Sequence, residues 1–154
     1  MAGEIVIRQA GAADARAIAE IDKASFSVPW SEESYVKEFT ENKLAYYLVA
    51  EIDGRAVGFC GMWCIFDEGH ITNVAVHPDY RRRHVATELL RALIRNSIQM
   101  SIFSHTLEVR ATNYAAQNLY AAFGFRPDGV RKAYYEDNHE DAIIMWRITT
   151  SEEI

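Results

Sequence analysis

The sequence has few cysteines and no long apolar run, although secreted proteins are often rich in the first and membrane proteins in the second. Only two of its 154 residues are cysteine, Cys60 and Cys64, which excludes a disulfide framework and fits a reducing cytoplasm. Its apolar runs fall short of the ~20 residues that a membrane-spanning helix needs. The first residues have no basic segment followed by a long apolar core. We therefore expect a cytoplasmic protein with no signal peptide and no membrane partner.

Proline is also scarce, and positive charge is not in excess. The three prolines stand singly, and we find no linker, low-complexity tract or internal repeat, so we expect one domain over residues 1–154. Hydrophobic residues make up 49% and charged residues 25%, as in ordinary globular proteins. With 16 Lys and Arg against 22 Asp and Glu, the net charge is −6. That balance argues against direct nucleic-acid binding and can attract a basic substrate.

Hydrophobic periodicity predicts a chain of strands and helices. Seven segments have the pattern of strands: 5–8, 45–52, 55–66, 71–76, 106–110, 125–135 and 141–149. Four segments have the spacing of amphipathic helices: 12–26, 32–40, 84–100 and 114–123. Asp53-Gly54 indicates a two-residue hairpin turn, Ser31 is a suitable helix N-cap, and Gly124 suits a helix end.

The order of these segments predicts an α/β (α+β) fold. We expect a mixed, mostly antiparallel seven-stranded sheet flanked by four helices. The helices over 84–100 and 114–123 connect strands by crossovers, which implies a parallel pair at the centre of the sheet. Where such a pair splays apart, main-chain groups are left free to bind a ligand.

One strand-to-helix junction is rich in arginine. The strand over 71–76 leads through a short loop to Arg81, Arg82 and Arg83, directly before His84. Free N–H groups at a helix N-terminus and three guanidinium groups together suit a phosphate. The alternative is a solvated basic cluster at the start of a surface helix. The sequence has neither a P-loop nor a Gly-x-Gly-x-x-Gly fingerprint.

This junction resembles the pyrophosphate loop of the GNAT superfamily of acetyl-CoA-dependent N-acetyltransferases, which reads Gln/Arg-x-x-Gly-x-Gly/Ala. Arg81 and Ala86 match that pattern, and His84 stands where the first glycine is usual. A glycine lets the backbone approach the ligand closely. A histidine adds bulk there, or adds a donor to phosphate when it is protonated.

Segments downstream resemble the bacterial ribosomal-protein-alanine N-acetyltransferase branch of that superfamily. They lie within 107–125 and 134–145, and Pro29-Trp30-Ser31 is similar to the substrate-side loop of that branch. The resemblance implies the GNAT fold, acetyl-CoA as cosubstrate and no metal. The implied cofactor contacts are Val74, Ala75, Val76, Arg81, Arg82, Arg83, His84, Val85, Ala86, Thr87 and Asn113. The implied acceptor contacts are Pro29, Trp30 and Tyr134, with Phe26 and Tyr135 as further candidates.

Two residues match the acid and the base of that branch, Glu108 as general base and Tyr120 as general acid for the leaving thiolate. Strand alternation places Glu108 on one face with Thr106 and Arg110. A carboxylate within an apolar strand is costly unless it is paired or functional, so an ion pair at the sheet rim is the alternative. For Tyr120 the alternative is a core aromatic with a solvated hydroxyl. For Asn113 it is the N-cap of the following helix.

The two cysteines and His70 do not form a recognisable metal site. Cys60, Cys64 and His70 have no fourth ligand at a suitable spacing, so we expect no zinc site. An acyl-cysteine intermediate is conceivable, but buried structural cysteines are more usual. The expected function is acetyl transfer to a protein N-terminus, that of a small-subunit ribosomal protein with N-terminal alanine. A small-molecule amine or lysine acceptor, and a non-catalytic acyl-CoA-binding module, are the alternatives.

Overall fold

The computed structural model describes residues 3–154, so the first two residues of the predicted domain lie outside it. Within this range one sheet contains seven strands: β1 (Ile5–Gln9), β2 (Ala45–Ile52), β3 (Arg55–Ile65), β4 (Glu68–Val76), β5 (Ser104–Arg110), β6 (Arg126–Arg131) and β7 (Ala142–Ile148). Four α-helices accompany it: α1 (Ala15–Ser25), α2 (Glu32–Glu41), α3 (Val85–Gln99) and α4 (Tyr114–Ala122). The predicted fold class is confirmed.

The strand order is β1-β2-β3-β4-β5-β7-β6. The pair β4–β5 is parallel and central, whereas the other neighbouring strands of the described sheet run antiparallel. The parallel ladder has three pairs, from Glu68↔Ser104 to His70↔Thr106. Beyond them the two strands diverge, so the predicted splay lies at the middle of the sheet.

A hydrophobic cluster lies on each face of the sheet. Helix α3 buries Leu89 and Leu93 against one face, where alternation along β5 also directs Leu107 and Val109. Helices α1 and α2 cover the opposite face of β2 to β4 through a second cluster that includes Tyr35. Each fully buried side chain of this size contributes about 1.5–3 kcal/mol relative to exposure.

Local sequence signals explain several element ends. Asp53 and Gly54 both have positive φ, 52° and 78°, as the hairpin turn between β2 and β3 requires. The Ser31 side chain accepts a hydrogen bond from the Ser34 amide at 3.1 Å and caps α2. Gly124 has φ 88°, in the left-handed region where glycine ends a helix without a Cβ penalty. These three predictions are confirmed.

Other boundaries differ from the predicted ones. Strand β4 begins at Glu68 rather than at residue 71, because a tight turn at Phe66, with φ 56°, brings Ile65 opposite Glu68. Strand β6 ends at Arg131 rather than at residue 135, and residues 132–141 form a loop before β7. The Asp141 carboxylate accepts a hydrogen bond from the Ala133 amide at 2.9 Å, which fixes the chain outside the sheet. Tyr134 therefore lies in a loop.

Candidate active site

A cleft of about 790 Å³ opens where β4 and β5 diverge. One wall is residues 71–74 of β4 and the other is residues 107–110 of β5. The loop between α1 and α2 (residues 26–31, here the α1–α2 loop) and the loop between β6 and β7 (residues 132–141, the β6–β7 loop) also contribute to its lining. The cleft thus lies between the main chain of the diverging strands β4 and β5 and two loops that contribute side chains.

The ladder between β3 and β4 decides which main-chain groups face this cleft. The His77 amide donates to the Val57 carbonyl at 2.8 Å, and an antiparallel ladder alternates its bonded pairs. Ala75 therefore exchanges main-chain bonds with Phe59, its register partner. Val74 and Val76 direct their main-chain groups toward the β5 side. Of the three residues predicted to hold the pantetheine arm, these two have the suitable orientation.

The arginine-rich turn before α3 has the geometry of an anion site. Arg82 and His84 both have φ 63°, and the first helical bond runs from the Glu88 amide to the His84 carbonyl at 3.0 Å. The amides of residues 85–87 precede that bond and point outward from the helix start. The Arg81 guanidinium donates to the Val76 carbonyl at 3.1 Å, so it ties this turn to the end of β4. His84 occupies the left-handed conformation that a glycine adopts without strain.

Glu108 lines the cleft with a half-buried carboxylate that is paired on both oxygens. His70 Nε2 lies 2.8 Å from Oε2 and Arg131 Nε lies 3.3 Å from Oε1. The hydrogen bond with His70, aided by Arg131, lowers the pKa of Glu108 against the opposing effect of burial. The carboxylate is therefore ionised at neutral pH. The ion pair considered as the alternative is therefore present, with His70 and Arg131 as the partners of Glu108. Glu108 nevertheless lines the cleft as well.

Arg110 instead anchors the β6–β7 loop. Its guanidinium donates to Asp137 at 2.9 Å and to Glu140 at 3.3 Å, and it stacks over the Tyr135 ring with its carbon 4.0 Å from the centroid. These contacts hold Tyr134 beside the cleft. The Ser27 hydroxyl donates to the Asp137 carboxylate, so the α1–α2 loop and the β6–β7 loop touch across the opening.

Tyr120 enters the cleft lining from α4 and is 8% exposed. Its ring packs against Phe125 with centroids 5.7 Å apart. Burial raises the pKa of the Tyr120 hydroxyl, so it holds its proton at neutral pH. Asn113 lines the same cleft, and its side-chain oxygen caps α4 by accepting from the Ala116 amide at 3.1 Å. The N-cap considered for Asn113 is therefore present.

The α1–α2 loop is held by a buried carboxylate. Asp22, at 2% exposure, accepts hydrogen bonds from the Trp30 amide at 3.2 Å and from the Tyr35 hydroxyl. Trp30 packs on Tyr35 with ring centroids 5.4 Å apart and lines the cleft. Pro29 lies in the same loop outside the cleft lining.

The cleft brings together part of the predicted set. Its lining includes Glu108, Tyr120, Asn113, Val74, Trp30 and Tyr134, as well as the further candidates Phe26 and Tyr135. Ala75, Val76 and residues 81–87 lie outside that lining, toward the arginine-rich turn. Sequence reasoning missed Asp22, His70 and Arg131. His70 and Arg131 reach Glu108 from other strands, so the pattern of β5 alone does not indicate them.

Other chemistries find little support in the described residues. Burial raises the pKa of the Cys60 thiol to about 12, so the thiolate that an acyl-cysteine route needs is scarce at neutral pH. Within residues 3–154, no group of three or more His, Cys, Asp or Glu side chains could hold a metal ion. In the same range, no helix has both the length and the apolar character needed to cross a membrane.

Comparison with known proteins agrees with this geometry. The profile of the acetyltransferase (GNAT) family matches residues 15–125. A putative ribosomal protein bS18-alanine N-acetyltransferase of Bacillus subtilis is 44% identical over 127 residues, 82% of this chain and 84% of that protein. The ribosomal protein bS18-alanine N-acetyltransferase of Escherichia coli is 35% identical over 134 residues, 86% of this chain and 89% of that protein.

A solved structure shows the same likeness. The crystal structure of the ribosomal-protein-S18-alanine N-acetyltransferase from Escherichia coli superimposes with a TM-score of 0.87 at 30% identity, over 96% of each chain. The match of the family profile to more than half of the chain, together with these identities, establishes the family. This chain belongs to the GNAT family of acetyltransferases.

Proposed function

We propose that this protein transfers the acetyl group of acetyl-CoA to the N-terminal α-amino group of a protein, and that the N-terminal alanine of ribosomal protein bS18 is the acceptor. One observation carries the chemical part of the proposal: an ionised carboxylate, Glu108, and a protonated phenol, Tyr120, line one cleft at the β4–β5 splay. The names of the Bacillus and Escherichia relatives support the acceptor.

The donor side of the cleft fits acetyl-CoA. The outward main-chain groups of Val74 and the amide of Val76 suit the amide-bearing pantetheine arm, which can bind as an added strand. The amides of residues 85–87 and the side chains of Arg82 and Arg83 suit a pyrophosphate. When bound, acetyl-CoA supplies the thioester carbonyl that the acceptor amine attacks. Asn113, at the N-terminus of α4, adds a cofactor contact on the far wall.

Glu108 and Tyr120 move the two protons that the reaction requires. An ammonium group cannot attack a thioester, so Glu108 takes a proton from the acceptor nitrogen, directly or through one water. A main-chain N–H near Val76 stabilises the negative charge on the thioester oxygen. Tyr120 gives its proton to the departing sulfur. A positioned base contributes about 10²- to 10⁴-fold to such a rate, whereas the acid contributes less because a thiol of pKa ~8.5 already leaves readily.

The acceptor side is built from side chains and suits an extended chain end. The α1–α2 loop presents Trp30 and the β6–β7 loop presents Tyr134 on either side of the opening. Both loops are anchored, by Asp22 and by Arg110, so their aromatic rings offer fixed surfaces. We expect the enzyme to act on the ribosomal protein itself in the cytoplasm, without direct binding of nucleic acid or membrane.

The test is acetylation of synthetic peptides. The purified protein is incubated with acetyl-CoA and a peptide carrying the bS18 N-terminus of its host, and fragmentation mass spectrometry locates the added acetyl group. We expect modification of the α-amine and none of the same peptide with a blocked N-terminus. Transfer to polyamines or to a lysine side chain in the blocked peptide would favour the two other acceptor classes. Cofactor binding without transfer to any amine would favour a non-catalytic module.

A substitution assigns the base. We expect Glu108→Gln to lower kcat at least about 10²-fold with the peptide as substrate, because the amide cannot accept the proton. Glu33→Gln, an exposed change of the same kind on α2, serves as the matched control and should leave kcat unchanged. Equal rates for the Glu108 variant and the wild type would show that Glu108 is not the base.

A further inference from the structure

A second, smaller cavity of about 260 Å³ shares Glu108 with the main cleft. Glu108 lines both cavities, whereas His70 lines the second one and lies outside the lining of the first. His70 is the last residue of the parallel ladder, opposite Thr106, and Glu108 follows Thr106 by two residues on the same face. His70 thus contacts the carboxylate from the second cavity and not from the lining of the main cleft.

We propose that His70 is a positioning residue that controls Glu108 by its protonation state. Protonated His70 locks Glu108 into an ion pair that weakens it as a base, and neutral His70 releases that restraint while still orienting the carboxylate by a hydrogen bond. The inference rests on the proposed function of Glu108 and adds the residue that sets when the base is effective.

The contact geometry supports control at this position. The 2.8 Å separation of His70 Nε2 and Glu108 Oε2 is that of a direct hydrogen bond. The Arg131 guanidinium holds the second carboxylate oxygen at 3.3 Å. When His70 is protonated, both oxygens therefore face cations. When it is neutral, one permanent cation remains and the imidazole N–H still donates to Oε2.

Access to solvent supports control by pH. The His70 side chain is 35% exposed and that of Glu108 is 11% exposed, so the imidazole can exchange protons with water in the second cavity without passing through the acceptor cleft. The charged groups that face this cavity are Glu68 from β4, Glu108 from β5, and Asp128 and Arg131 from β6. Tyr134 approaches Glu108 from the β6–β7 loop.

The balance of these groups favours the protonated imidazole. The hydrogen bond to Glu108 raises the pKa of His70 above its ordinary 6.5, and burial and Arg131 oppose that effect without cancelling it. Because the pKa of Glu108 is lowered below its ordinary 4.5, the carboxylate itself cannot account for a change of rate near neutrality. His70, whose pKa is raised from its ordinary 6.5 by the bond to Glu108, touches the base directly.

The test compares the pH dependence of two enzymes, because the pH–rate profile of one enzyme alone does not isolate His70. The acceptor α-amine titrates with a pKa of about 8 and would shape any one profile, but it contributes equally to both enzymes when the same peptide is used. The quantity to measure is the ratio of kcat/KM of the wild type to that of His70→Gln, which keeps a neutral donor in place of the imidazole. We expect this ratio to fall roughly tenfold between pH 8 and pH 5.5, with a midpoint above 6.5.

A matched control and an independent readout complete the test. Arg131→Gln removes the other cationic partner of Glu108 and keeps the imidazole, so the rate of this variant should keep the pH-dependent step of the wild type. A ratio that stays constant with pH would assign His70 a purely structural role and overturn the proposal. If the protein acetylates no amine, the proposed function fails, and the NMR titration of His70 still decides the coupling. Its midpoint should lie above 6.5 and fall in Glu108→Gln; a midpoint that Glu108→Gln leaves unmoved overturns the inference.

Discussion

Replacing His84 by glycine should stabilise this protein. His84 precedes α3 with φ 63° and ψ 21°, a left-handed conformation that costs an L-residue roughly 1–2 kcal/mol. Glycine removes that cost but loses more backbone freedom on folding, which offsets about 0.5–1 kcal/mol. The His84 side chain is exposed, so little packing is lost. We expect His84→Gly to raise the free energy of unfolding by about 0.5–1 kcal/mol.

The assay is equilibrium unfolding in urea, followed by circular dichroism, with a thermal scan as a second measure. For a chain of this length, that gain corresponds to an increase of roughly 1–4 °C in Tm. His84→Ala is the control that isolates the cause, since it removes the imidazole but keeps the Cβ that makes the conformation costly. A gain in His84→Ala as large as in His84→Gly, or a loss in His84→Gly, would refute the argument from backbone strain.

Three further predictions concern the cleft and the core. Tyr120→Phe should lower kcat by about tenfold and leave KM for the peptide nearly unchanged, because the lost proton donor serves only the leaving sulfur; steady-state kinetics checks this. Arg110→Ala should raise KM for the peptide more than it lowers kcat, because the β6–β7 loop loses its ion pairs; the same assay with Lys132→Ala as control tests it. Burial lowers the pKa of His105 to about 4, so the unfolded chain binds the proton at a higher pH than the folded chain does. The free energy of unfolding should therefore be constant with respect to this group above pH 6.5 and should fall by up to about 3 kcal/mol as the pH decreases to about 4. Urea unfolding of the wild type and of His105→Gln at several pH values measures this difference.

The sequence predicts elements best where the signal is local. The turn at Asp53-Gly54 and the cap at Ser31 each rest on one or two adjacent residues, and both are present. The early start of β4 escaped prediction because Phe66 takes a positive φ that aromatic residues rarely adopt. Nothing in the composition of that turn indicates a hairpin, whereas the pairing of β3 with β4 imposes one.

The same difference between local and long-range signals applies to the candidate site. Alternation within β5 places Glu108 correctly on the half-exposed face, because period two is a property of one strand. Its partners come from β4 and β6, at 38 and 23 positions along the chain, so only the register of the folded sheet reveals them. The role of Arg110 could not be predicted for the same reason. Its partners Asp137 and Glu140 lie in the β6–β7 loop, and the strand pattern does not indicate the path of that loop.

The two sides of the cleft therefore depend on the sequence in different ways. The proposed donor side is built mainly from main-chain groups at Val74, Val76 and the start of α3, which most substitutions would leave in place. The side chains of Arg82, Arg83 and Asn113 add to it. The proposed acceptor side consists of two loops held by buried or paired carboxylates. One of these is Asp22, whose loss would leave the Trp30 amide and the Tyr35 hydroxyl without their acceptor. Substitutions on the acceptor side should thus alter the choice of amine long before those on the donor side alter the use of acetyl-CoA. The peptide assay therefore tests the part of the proposed function that depends on these two loops.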